Sequence, residues 1–200
     1  MAGKKQDTSK KREAILDGAV KAFCEEGYEA SSMDRIAEFA VASKRTVYNH
    51  FPSKESLFQA VVDRFMEQAS AIKNIPYDPS QSLEDQLGLF ADAKMSMTKD
   101  VAMFGLMKAT LGAFIHDPEL GKITMERAQM GEDYLVKWLL AAKDDQKLQF
   151  NDAKLTAELF WSMISGAFIW PQLMQGAMSG DKIEKMKQEL IQMFLSYYRV

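Results

Sequence analysis

The sequence predicts an all-α fold: a small N-terminal three-helix unit joined to a larger helical domain, about nine helices in all. Three observations carry that expectation. Apolar residues recur at three- and four-residue intervals along the 200-residue chain, the spacing of one buried helix face. No sustained two-residue alternation rich in β-branched residues appears, so no sheet is expected. Serine, aspartate, proline and glycine fall where helices start and stop.

Ile15, Ala19, Ala22 and Phe23 mark a first amphipathic helix that stops at Gly27. Met33, Ile36, Ala37 and Ala40 repeat the pattern in a helix about two turns long. Val47 and Phe51 mark a third short segment, and Leu57, Phe58, Val61, Val62 and Phe65 a longer fourth. Ser31, three residues before Asp34, reads as the cap of the second helix. Ser43 and Ser53 read as caps of the next two. Pro52 closes the third because it biases Phe51 away from helix. Asn74 to Ser82, with Pro76 and Pro79, reads as a break. Beyond it helices are expected at roughly 81–98, 100–115, 118–143, 152–176 and 181–199. Asp117-Pro118-Glu119 is a start signal, and Asp152 and Asp181 are candidate caps.

Hydrophobic residues make up 47% and charged residues 26% of the chain, the mixture of an ordinary globular protein. No apolar run approaches the roughly 20 residues of a membrane span, and residues 1–14 lack the apolar stretch of a secretory leader. The cytoplasm is the expected compartment. One cysteine, Cys24, and two histidines leave no disulfide framework and argue against structural zinc. The net charge of −3 hides a basic leading segment: Lys4, Lys5, Lys10, Lys11 and Arg12 stand against one acid, Asp7. That asymmetry fits a polyanion met by one end of the molecule, or a solvated tail.

Residues 33–51 form one object: a short helix, the link Val41-Ala42-Ser43, and a second short helix from Lys44 to His50. This is the helix-turn-helix arrangement, whose second helix enters a major groove about 12 Å wide. Lys44, Arg45, Thr46, Tyr48, Asn49 and His50 give that helix a polar outward face without an acid. Arginine pairs twice with guanine and asparagine twice with adenine. Ser43, Thr46, Tyr48 and Lys54 suit phosphate oxygens, as do the amides at the helix start near Lys54. An ordinary solvated face is the plain alternative for Lys44, Arg45 and Asn49.

Residues 10–66 resemble the DNA-binding domain of the TetR family of bacterial transcriptional regulators. The resemblance rests on Arg12-Glu13-Ala14-Ile15-Leu16, on Ala22-Phe23 with Gly27-Tyr28, and on Met33-Asp34-Arg35-Ile36-Ala37. It rests above all on Ser43-Lys44-Arg45-Thr46-Val47-Tyr48-Asn49-His50-Phe51-Pro52-Ser53-Lys54-Glu55-Ser56-Leu57. It implies three helices and a connecting fourth, with Tyr48, His50 and Lys54 on phosphates and the start of the third helix on bases. Arg45 stands where the family commonly has glycine, so no operator sequence is carried over. The implied spans are a DNA-binding domain over 1–53, a connecting helix over 54–75, and a ligand-binding and dimerisation domain over 76–200.

Twelve of the fourteen methionines and all three tryptophans lie after residue 65. Phe104, Met107, Leu111 and Phe114 form one stripe; Met130, Tyr134 and Trp138 form another; Trp161, Phe168 and Trp170 add bulk further on. Most must be core, but methionine also suits an adaptable cavity. The resemblance implies a small apolar or amphipathic effector, with Phe104, Met107, Phe114, Met130, Tyr134, Trp138, Trp161 and Phe168 as candidate lining. His116 and Arg127 are possible polar anchors. Pro171 is expected to kink its helix. The stretch from Phe104, ending in Asp117-Pro118-Glu119-Leu120-Gly121, resembles the AefR-type branch.

From Leu190 to Tyr198 apolar residues wrap most of the circumference, as in a helix buried on more than one side. Ser162, Ser165 and Gly166 are small enough to admit another helix. The last two helices are therefore expected to pair two copies as a four-helix bundle, with a single monomeric core as the alternative. The expected partners are an inverted-repeat DNA operator, an effector and a second copy. The function so read is a dimeric ligand-responsive repressor; the alternative is a DNA-binding protein whose larger domain only dimerises. No nucleophile–base pair, carboxylate cluster or phosphate loop supports an enzyme, a cofactor or a metal site. Asp144-Asp145 reads as loop, and Cys24 as an inert thiol.

Overall fold

The computed structural model describes residues 2–68, 75–96, 98–129 and 133–200, with side chains described for 9–67, 75–96, 98–126 and 134–200. Its regular elements are α1 (Ala2–Glu26), α2 (Met33–Phe39), α3 (Lys44–His50), α4 (Lys54–Gln68), α5 (Leu83–Ser96) and α6 (Val101–His116). They continue with α7 (Pro118–Gln129), α8 (Asp133–Asp144), α9 (Ala153–Ile164), a π turn (Ser165–Ile169), α10 (Trp170–Gln175) and α11 (Gly180–Tyr198). The all-α prediction holds: extended pairing among the described residues is one isolated bridge between Leu148 and Arg199.

The chain divides into two compact units, one of residues up to 68 with 101–129, the other of 69–100 with 130–200. This grouping differs from the 76–200 domain expected from sequence. Long-range packing makes the difference: α6 lies on α1, and α7 on α4. Within the helix expected over 118–143 the described residues are α7 and α8, and 130–132 lie outside them.

In the first unit, Phe23, Tyr28 and Phe58 meet with centroids 5.1–5.8 Å apart, and Phe58 meets Phe114 of α6 at 6.1 Å. Tilted and edge-on pairs of this kind add about 0.5–1.5 kcal/mol each beyond burial. α1 crosses α2 at Gly18, where a Cβ would stand 2.7 Å from the Ala40 nitrogen, so only glycine permits the approach. Gly27 ends α1 at φ 83°, a conformation glycine takes without strain.

In the second unit, Phe90, Trp138, Phe160 and Phe194 form a buried core. Gln86 is its polar centre. Its Oε1 accepts from the Trp138 indole at 3.0 Å and from the Asp78 amide at 2.8 Å, while its Nε2 donates to Asp78 O at 2.9 Å. A buried amide so satisfied fixes the loop before α5. The chain end is tied in too: Gln149 N donates to Tyr198 O at 2.8 Å and Val200 N to Lys147 O at 3.2 Å.

The caps sharpen the sequence reading. Asp117 accepts from Leu120 N at 3.1 Å, and Asp152 from Lys154 N and Leu155 N, as expected. Ser31 is not the α2 cap. The extended Ser32 accepts from Arg35 N at 3.1 Å, while the Ser31 hydroxyl turns inward to Ala22 O at 3.2 Å. Asp181 falls inside the first turn of α11 rather than before it, because the helix starts at Gly180. The π turn immediately precedes the Trp170-Pro171 start of α10.

Candidate nucleic-acid interface

The α2–turn–α3 module is held by short-range chemistry. Ile36, Ala37 and Val47 are buried and brace the two helices. Ser43 caps α3, accepting from Thr46 N at 3.1 Å, and the Ser43 and Thr46 hydroxyls lie 2.8 Å apart. Val41, in the turn, takes φ 50° and is 94% exposed. A β-branched residue there is strained without compensating burial.

With Val47 inward, α3 turns Lys44, Arg45, Tyr48 and Asn49 outward. Arg45, Tyr48 and Asn49 are exposed and share a face by their i, i+3, i+4 spacing. Arg45 and Asn49 have no hydrogen-bond or ion-pair partner among the described residues, so their donors stand open to solvent. Lys44 is exposed but engaged: its Nζ lies 2.8 Å from Asp34, whose hydrogen bond holds the ammonium above its ordinary pKa. His50 is half-buried, its ring centroid 6.4 Å from that of Phe51. Arg12 of α1 lies over the Phe51 ring at 5.3 Å.

The Lys54 ammonium donates to three backbone carbonyls of the α1–α2 loop. At the same helix start, Ser53 and Ser56 cap reciprocally: Ser56 N donates to Ser53 Oγ and Ser53 N to Ser56 Oγ, each at 3.1 Å. Sequence reasoning also missed the loop that receives Lys54. Its partners lie 23 to 26 residues away, beyond any local pattern.

The candidate effector residues are divided between the two units. Phe104, Met107 and Phe114 belong to the first unit and are half-buried. Tyr134, Trp138, Trp161 and Phe168 belong to the second. Met130 lies outside the described residues, as does the Arg127 side chain, and His116 is exposed. Trp138, Trp161 and Phe168 are sealed in the core at 4% exposure or less. Trp138 is held there by its bond to Gln86, so these three do not line an open pocket. A groove of about 340 Å³ between α5 and α11 is lined instead by Glu84, Asp92, Glu184, Lys187, Gln188 and neighbouring residues, with none of the candidates among them.

Other chemistry is structural. Asp145 accepts from Tyr77 at 2.6 Å; burial first, then this acid, pushes the Tyr77 hydroxyl up to about 12. The Cys24 thiol is raised by burial and then by Glu25, which disfavours the nucleophilic thiolate. Among the described residues no group of three or more His, Cys, Asp or Glu is placed to hold a metal, and no helix is long and apolar enough to cross a membrane.

Residues 85–200 match the C-terminal domain of the AefR-like transcriptional repressor, and residues 15–61 match the bacterial regulatory proteins of the tetR family. The chain belongs to the TetR family. Its members are regulators that bind DNA, not enzymes. Over 60 residues the chain is 43% identical to the HTH-type transcriptional repressor ComR of Escherichia coli (strain K12), a stretch covering 30% of this chain and 29% of ComR. The whole fold is similar to a TetR family transcriptional regulator from Pseudomonas syringae pv. tomato str. DC3000. That likeness has 32% identity and a TM-score of 0.77, over 94% of this chain and 97% of that one. It is also similar to the flavonoid-responsive regulator FrrA, with 27% identity and a TM-score of 0.76 over 96% and 98% of the two chains. The helix-turn-helix of the matched segment is α2–turn–α3.

Proposed function

We propose that this TetR-family protein is a homodimeric, effector-responsive repressor that reads an inverted repeat with α3. The observation that carries the DNA assignment is the open face of Arg45, Tyr48 and Asn49. Arg45 and Asn49 are the base-reading candidates, and Ser43, Lys44, Thr46, Tyr48 and His50 the backbone-contacting ones. Functionally, residues 1–53 read DNA, 54–75 connect, and 76–200 receive the effector and the second copy.

Dimerisation is supported by an outward apolar stripe. Leu155, Leu159, Trp170 and Met174 are 44–64% exposed along α9 and α10, with the small exposed Ser162 and Gly166 between them. On α11, Met193 and Tyr197 are exposed while Ile191, Phe194 and Leu195 face inward. Two such helices from each copy make a four-helix interface. To enter successive major grooves, the two recognition helices of the dimer must sit roughly 34–36 Å apart, one turn of DNA. An effector that prefers another spacing lowers DNA affinity by its differential affinity for the two states.

The effector class is a small apolar or amphipathic molecule. Phe104, Met107 and Phe114, half-buried on α6, are the residues nearest to hand, and the likeness to a flavonoid-responsive regulator points to planar aromatic compounds. The sealed Trp138, Trp161 and Phe168 favour a second reading, in which the larger domain only dimerises. A thermal-shift series with flavonoids and other aromatic compounds separates the two: a dose-dependent rise in Tm supports the effector, and none with any compound supports the second reading.

Selection of bound fragments from random duplex DNA at defined salt tests the whole. An enriched inverted repeat is the expected result. No enrichment of any sequence over heparin competition overturns it.

A further inference from the structure

Lys54, the first residue of α4, is half-buried. Its Nζ donates to Tyr28 O at 2.8 Å, to Ser31 O at 3.1 Å and to Glu29 O at 3.2 Å, and it lies 4.5 Å from the centroid of the Tyr28 ring. An ammonium has three N–H donors, and all three are used. Three carbonyls and an aromatic face together form a cation site, and the chain fills it with its own lysine.

The loop that supplies this site is anchored on its other sides. The Ser31 hydroxyl donates to Ala22 O and Gly27 O. Tyr28 N donates to Ala109 O of α6 at 3.5 Å. The Tyr28 ring is packed between Phe23 and Phe58, and burial, ahead of Glu55, Glu29 and Asp117, raises its hydroxyl so that it stays neutral. The ammonium thus joins α4 to the segment that leads from α1 into α2. Drawing Nζ out to a phosphate would strip three carbonyls of their charged donor.

We propose that Lys54 is a positioning residue and not a phosphate ligand: it locks the α1–α2 loop onto the start of α4, so that α3 and the α4 amides meet one duplex in a fixed register. The inference rests on α3 entering DNA. It assigns Lys54 a role opposite to the one its place in the motif implies.

The test uses Lys54→Met and Lys54→Arg in the full chain, titrated against the selected operator and a scrambled duplex over a range of salt. Lys54→Met is expected to weaken operator binding by at least about fivefold. The log–log salt slope stays that of wild type and scrambled-duplex affinity is unchanged, so the specificity ratio falls; Lys54→Arg, which keeps the charge and the donors, restores part of it. A slope smaller by about one, with both duplexes weakened alike, is the mark of a lost phosphate contact and overturns the proposal. Equal weakening without a slope change, tracking a lower folded fraction, overturns it as well.

Where Lys54→Met does not fold, amine labelling of the wild type decides. Lys54 is expected to resist acetylation equally with and without DNA, while the exposed Lys10 reacts. Free reaction of Lys54 in the absence of DNA, with protection only on binding, refutes the clamp. Wild type that binds no duplex would sink the DNA reading instead, and the labelling of free Lys54 would still judge the clamp.

Discussion

The recognition helix α3 and the α9–α10 segment are both only partly buried, and they spend their outward faces differently. α3 buries Val47 and turns outward a cation, a phenol and an amide. α9 and α10 bury Phe160, Trp161 and Ile164, yet still expose Leu155, Leu159, Trp170 and Met174. The contrast separates two kinds of partner. Open hydrogen-bond donors gain from a polyanion that supplies acceptors, whereas apolar area left in water gains from another apolar face. Function is read from what each face leaves unsatisfied.

The comparison breaks most sharply at Leu159. Leu159→Glu puts a charge into the proposed dimer face, and two-fold symmetry repeats it in each copy. Self-association in sedimentation equilibrium is expected to weaken by more than about a hundredfold, about 3 kcal/mol, with unchanged helical content. A variant that dimerises like wild type removes the stripe from the interface. On the other face, Arg45→Ala is expected to lose about 1–3 kcal/mol of discrimination at one base position in competition binding. Unaltered discrimination returns Arg45 to the solvated surface.

Smaller effects sharpen the picture. Val41→Gly relieves a positive φ at a side chain that packs on nothing, and is expected to raise stability by about 1 kcal/mol in urea unfolding. A loss of stability would mean the turn is not strained. Smallest is Arg199→Gln. Burial raises the Glu84 carboxyl, but Arg199 at 2.7 Å outweighs it and holds the group below its ordinary value of 4.5. The folded state therefore gains from this pair above that pH and loses the gain as pH falls through the lower folded value. The variant should cost under about 1 kcal/mol at neutral pH, and the gap should close in acid. A gap independent of pH removes the pair as its cause.

Much of this was legible in the sequence, for a physical reason. The α2–α3 module is built from contacts within twenty residues, so periodicity, the Ser43 cap and Pro52 were enough to place it. The partner of Lys54, the inward Ser31 and the grouping of α6 with α1 depend on packing between distant segments. An amphipathic stripe says that a helix face is covered, not by what. Trp138 illustrates the limit: its spacing suited a pocket wall equally well, until Gln86 claimed its indole.

The π turn at Ser165–Ile169 bears on more than local backbone. Residues spaced by four in an α-helix creep around the axis by about 40° each step, so a stripe from Leu155 to Met174 would spiral away from any flat neighbour. One wider turn takes up about one residue, winding the trailing half back by roughly 100° and returning Met174 to the face of Leu155. Excising a single residue there would leave every helix intact yet swing Met174 away from the face of Leu155 by about 100°, a phase error rather than a loss of contacts.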